Sequence, residues 1–144
     1  MVETHAGSLV GGQNQRLSFR FLKVAGITLL LGTLSALLGH LVSESLLTVV
    51  GPLAMVLTPI FALLAAYHTY QNQGLAVSWI LVFAPLFVMI THGFGVGLFS
   101  EPTLIEWFRM GVLQGGGYAL VVGTLAFAVG FTARLIVDWQ SETA

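Results

Sequence analysis

Cysteine is missing from the chain, which excludes disulfides, thiolate metal sites, iron–sulfur clusters and cysteine nucleophiles. Charge is nearly missing too: Asp, Glu, Lys and Arg make up 8% of the 144 residues, where a soluble domain carries roughly 25%. The net charge of −1 leaves no basic field for nucleic acid. None of the four charged types occurs from Val24 to Ser43, from Ser45 to Ser100, or from Met110 to Ala133. An ionisable group at the bilayer centre is costly and marks ion paths or counter-ions. Its absence from these stretches argues against a proton pump, an ion-coupled transporter or a voltage sensor. No nucleotide-binding loop, zinc-protease helix or nucleophile elbow occurs. Ser35 and Ser78 have no neighbouring base in sequence and read as packing or backbone-bonding residues. The expectation is a non-enzymatic protein without a cofactor.

What remains is oil. Hydrophobic residues make up 56% of the chain, and the charge-free stretches fit one, two and one crossings at roughly 20 apolar residues each. The first starts late, runs long and lacks a small-x-small cleavage site before Glu44, so it reads as a span rather than a leader. The predicted fold is all-α: an integral membrane four-helix bundle with spans at about 24–42, 46–67, 75–92 and 110–133. Residues 1–20 read as a flexible polar tail, 21–139 as the membrane domain, and 140–144 as a C-terminal tail. Thr103 with Glu106 three residues on is a capping-box pattern, so an interfacial helix is expected over 103–109. Because a straight helix from Leu104 to Val137 would overrun the ~30 Å hydrocarbon core, a bend is expected near Gly115-Gly116-Gly117.

Four spans put both termini on one side, with Arg16, Arg20, Lys23 and Arg134; the other side holds Arg109 with Glu44, Glu101 and Glu106. The positive-inside rule assigns the termini to the cytoplasm, and a plasma membrane is the expected location. Phe19, Phe21, Tyr67, Tyr70 and Trp139 then fall near the inner interface, and Phe99 and Trp107 near the outer one.

Three patterns bear on mechanism. Small residues recur at heptad spacing, at Ala25, Gly32 and Gly39 on the first span and Gly116, Gly123 and Gly130 on the fourth; Gly111 and Gly115 add a GxxxG match. In lipid such stripes let backbones approach, either within one bundle or between subunits. Pro59 and Pro85 stand at equal distances from Asn72, which places them at one depth of a hairpin. Each frees a carbonyl four residues back, at Met55 and Leu81, so the pair could line a polar cavity or a hinge. Pro52 adds a bend one heptad earlier. His40 and His92 end parallel spans at similar depth and are the candidates for a haem, metal or proton site. His68, at the inner interface, and His5, in the tail, carry no such pattern.

These features support an accessory or assembly subunit that works by helix packing in the lipid bilayer, as a homo- or hetero-oligomer. The alternatives are permeation or transport of an uncharged or weakly polar solute through the proline-kinked hairpin and an oligomeric pore, and a haem- or metal-binding redox subunit using His40 and His92.

Overall fold

The computed structural model describes residues 13–41, 45–94 and 103–142, except the side chains of 40, 41, 45–48, 93 and 94. The elements are α1 (Gln15–Leu41), α2 (Ser45–Asn72), α3 (Leu75–Met89) with a π-helical turn (Ile90–Phe94), and α4 (Leu104–Glu142). Each of the four is long and apolar enough to cross a membrane, α3 together with its π turn. The chain is an all-α four-helix bundle, and its composition gives it a membrane location.

The helices alternate in direction. Gly130 of α4 meets Ala66 and Thr69 near the end of α2, and Gly111 meets Thr91 just past α3. Ser18 of α1 meets His68 of α2, whereas Ser35 meets His92. The start of α1, the α2–α3 turn and the end of α4 therefore share one end of the bundle, here the terminal end. Four spans of oily residues offer no hydrophobic force to order them, so the order comes from close packing and buried polar contacts. α3 takes the centre: it packs against all three others, and Leu81, Val82 and Ala84 are wholly buried, while α1 and α4 flank it and barely meet. The outward faces of α1, α2 and α4 are apolar, for example at Leu30, Leu63 and Val129.

Several boundaries differ from expectation. The polar tail ends early. Asn14 caps α1, its Oδ1 accepting from the Leu17 N–H at 3.2 Å, so helix begins at Gln15 and Arg16 and Arg20 are helical. α2 does not stop at Tyr67, because nothing from 68 to 72 breaks a helix. It ends at Asn72, where Gln73 turns left-handed (φ 54°) and its N–H reaches the Thr69 carbonyl at 2.8 Å. Tyr70, Gln71 and Asn72 are thus helix, not turn. The interfacial helix and the fourth span are one element of 39 residues, about 58 Å long, unbroken through Gly115-Gly116-Gly117 and through residues 140–142. Gly115 faces α3, and a neighbouring helix in lipid supports backbone that glycine would loosen in water. The Thr103–Glu106 capping box forms: the Thr103 N–H donates to the Glu106 carboxylate at 2.8 Å. Residues 1–12, 42–44, 95–102, 143 and 144 lie outside the described residues, and with them His5, Glu44, Phe99 and Glu101.

Candidate functional site

Two buried polar clusters fasten α1 to the bundle, one near each end. At the far end the helix after Met89 widens to a π turn, a rare local winding that often marks functional positions. The turn carries Thr91 and His92, both buried. His92 Nδ1 lies 2.7 Å from the Val88 carbonyl, which can only accept, so Nδ1 carries the hydrogen. Nε2 sits 2.9 Å from Ser35 Oγ on α1, and the same hydroxyl lies 2.9 Å from the Gly32 carbonyl. A serine has one hydrogen to give, and both of these acceptors lie inside the bundle. Gly32 and Gly51 make this approach feasible: a Cβ on Gly32 would run into the Val88 side chain, and one on Gly51 would come within 3.0 Å of the His92 carbonyl.

At the terminal end the cluster is built from Ser18, His68, Thr69, Asn72 and Ser78, of which all but Ser18 are wholly buried. Asn72 holds the main chain of Asn14 from both sides, its Oδ1 accepting from the Asn14 N–H and its Nδ2 donating to the Asn14 carbonyl at 3.0 Å. The same Nδ2 reaches Ser18 Oγ at 2.7 Å and His68 Nε2 at 3.2 Å. Thr69 and Ser78 bond each other at 2.9 Å, joining α2 to α3 across their turn. The Phe21 and His68 rings pack in a T-shaped pair, centroids 5.0 Å apart. His68 Nδ1 has no hydrogen-bond partner among the described residues.

Pinned at both ends, α1 stands away from α2 between them. The gap is a groove of about 400 Å³ lined by Thr28, Leu31, Gly32 and Ser35 of α1, by Val50, Leu53, Ala54 and Leu57 of α2, and by Pro85 and Val88 of α3. Leu31 and Leu53 on its rim are 60% and 55% exposed, so the groove opens sideways, toward where lipid would lie. A volume of this size lies in the range of about 300–1,000 Å³ typical of ligand pockets. The lining is apolar except for two hydroxyls. The Ser35–His92 pair ties α1 to the π turn at one end of this groove.

The expected site residues distribute unevenly. Ala25, Gly32 and Gly39 are buried and face inward. On α4 the small-residue line runs Gly111, Gly115, Ala119, Gly123, Ala126, Gly130, all buried, against α3 and the end of α2. Gly116 lies off this line: a Cβ there meets nothing within 4 Å. A strict heptad drifts about 20° per repeat on a straight helix, and steps of four and three correct the drift. Pro85 is buried and lines the groove, but Pro59 and Pro52 are exposed on α2, so the two hairpin prolines do not share a cavity. Thr58 instead serves the α2 backbone, donating to the Ala54 carbonyl at 2.9 Å. His92 meets Ser35, while the His40 side chain lies outside the described residues. Among the described residues no three His, Asp or Glu side chains gather as metal ligands.

No protein-family model, curated protein or solved structure matches the chain.

Reading residues along the chain missed Ser35 as the partner of His92, 57 positions away, and missed the Asn14–Ser18–His68–Asn72 clamp. Depth was the available signal. Ser35 and His92 lie at similar height on parallel spans, and Ser18 and the end of α2 at similar height on antiparallel ones, but height does not say which faces meet.

Proposed function

We propose that the protein is a non-enzymatic membrane protein that takes up an uncharged or weakly polar solute from the side of its bundle and lets it pass along α1. The groove carries this reading. It is ligand-sized, apolar and open toward lipid, and it lies between two polar clusters at opposite ends of one helix. Among the described residues no Asp, Glu, Lys or Arg lines it, which suits a neutral cargo. Pro85, which cannot donate to the Leu81 carbonyl, and the π turn beyond it are the places where α3 can yield. The small-residue lines favour this reading over an assembly role, because they are consumed inside the bundle. The proposed setting is a plasma membrane with both termini cytoplasmic, following the basic residues at the terminal end.

Flux of a panel of neutral solutes into proteoliposomes tests the reading. Leu53→Trp, which fills the groove mouth from an exposed position, and Pro85→Ala should each lower flux at least severalfold. Pro59→Ala, on an exposed face, should leave it unchanged. Flux equal to that of protein-free vesicles across the panel would reject the proposal.

One observation favours the assembly reading. Beyond Gly130, α4 continues about 18 Å to Glu142, past the α2–α3 turn, and Leu135, Ile136 and Val137 on that stretch are each about half exposed. Such a projecting apolar stretch suits another membrane subunit. Mass measurement in mild detergent decides it: a strictly monomeric, partner-free species from native membranes would remove it.

A further inference from the structure

The hydrogen bonds of the groove say what kind of molecule it would hold. Its lining contributes two polar side chains, Thr28 and Ser35, both on α1. Thr28 Oγ1 donates to the Val24 carbonyl at 3.0 Å, so its hydrogen is spent on its own helix. Ser35 has its single hydrogen committed between the Gly32 carbonyl and His92 Nε2, both at 2.9 Å and both within the protein. Whichever of the two receives it, none is left for the groove. Each hydroxyl therefore offers lone pairs alone, as acceptors. The wall from α2 and α3 (Val50, Leu53, Ala54, Leu57, Pro85 and Val88) has no polar side chain. Among the described residues the groove is thus an apolar slot with acceptors and no side-chain donor.

Position sharpens this. Ser35 lies about two turns from the far end of α1 and Thr28 two turns deeper, about 10 Å along the axis. A molecule with its polar head at Ser35 would keep the head toward the far-end interface and run its tail past Leu31 and Thr28 toward the bilayer centre. Pro85 sits in the wall beside that path.

We propose that the groove is a binding site for a neutral long-chain alcohol, its hydroxyl donating to Ser35 Oγ and its hydrocarbon tail lying between α1 and α2. This rests on the reading that a solute occupies the groove, and it names the class. A carbonyl or ether head would bring acceptors to acceptors and gain nothing there. A carboxylate or ammonium head would face a wall without a counter-charge. An acyl chain of bulk phospholipid would fill the slot with no preference for a head.

The test uses the full chain in phosphatidylcholine vesicles and hexadecan-1-ol carrying a photoreactive diazirine in mid-chain, with the labelled residues mapped by mass spectrometry. The expected result is labelling confined to the groove wall, at Leu31, Leu53 or Leu57, and competed by hexadecan-1-ol but not by its methyl ether. Ser35→Ala should reduce labelling at low probe concentration about fivefold, the worth of one hydrogen bond in a dry site. Leu53→Trp, which leaves the Ser35–His92 anchor intact, should abolish it. Equal competition by the methyl ether would mean that any acyl chain occupies the slot, and the proposal would fall. Labelling spread over all lipid-facing surfaces would overturn it as well. Specific labelling in a protein that passes no solute would sink the transport reading and leave this site standing. Solute flux together with labelling that the methyl ether competes as well as the alcohol does would do the reverse.

Discussion

Gly130 and Gly116 lie on one heptad line of α4, yet the bundle treats them oppositely, which makes an alanine at each a sharp probe of the packing. A Cβ on Gly130 would collide with the Ala66 backbone carbonyl and come within 3.0 Å of Thr69 Cβ. The first of these is main chain of a buried helix end and cannot rotate aside, so α4 must move away from α2. Forcing one extra methyl into a closed contact costs about 1–3 kcal/mol. A Cβ on Gly116 meets nothing within 4 Å. Both substitutions gain the same helix propensity, about 1 kcal/mol, so that term cancels when the variants are compared with each other. Gly130→Ala should therefore be less stable than Gly116→Ala by about 1–3 kcal/mol, or between about fivefold and about 150-fold in the unfolding equilibrium. Reversible unfolding in mild detergent with added denaturing surfactant, followed by far-UV circular dichroism, measures the gap. Equal stabilities, or a gap of the opposite sign, would refute the α2–α4 contact.

Two further outcomes follow from the polar contacts. Asn72→Leu removes the bonds to both sides of the Asn14 main chain, so residues 13–18 should lose hydrogen-exchange protection while α3 and the core of α4 keep theirs; unchanged protection at Leu17 and Ser18 would disprove the clamp. Thr103→Ala breaks the reciprocal cap with Glu106, and the first turn of α4 should fray at a cost of about 0.5–2 kcal/mol, read as faster exchange at Ile105 and Glu106 with no change at Gly123.

Much of the architecture was legible because it depends on hydropathy over long windows. The bare runs after Lys23, Glu44 and Arg109 left no alternative to four spans, and the Thr103–Glu106 signature marked the start of α4 because capping is decided within one turn. Boundaries were less legible. The polar run Tyr70-Gln71-Asn72 looks like a turn, but its residues extend α2 because Asn72 and Thr69 find partners on α1 and α3. Gly115-Gly116-Gly117 looks like a break, and α4 stays whole because Gly115 is held against Phe87.

The site was the least legible part. From the sequence alone come the solvent in which the chain lives, the number of crossings, and the shared side of its two ends. These follow from how much apolar surface each segment carries, a property that needs no neighbour. Only the tertiary structure decided that Gly115 and not Gly116 faces α3, that His92 answers Ser35, and that α1 is fastened near both ends with a groove beside α2 between them. In lipid every outward face is equally oily, so rotation of a helix about its axis leaves almost no trace in hydropathy. It is set instead by which small residues admit a neighbouring backbone and which buried polar groups find each other.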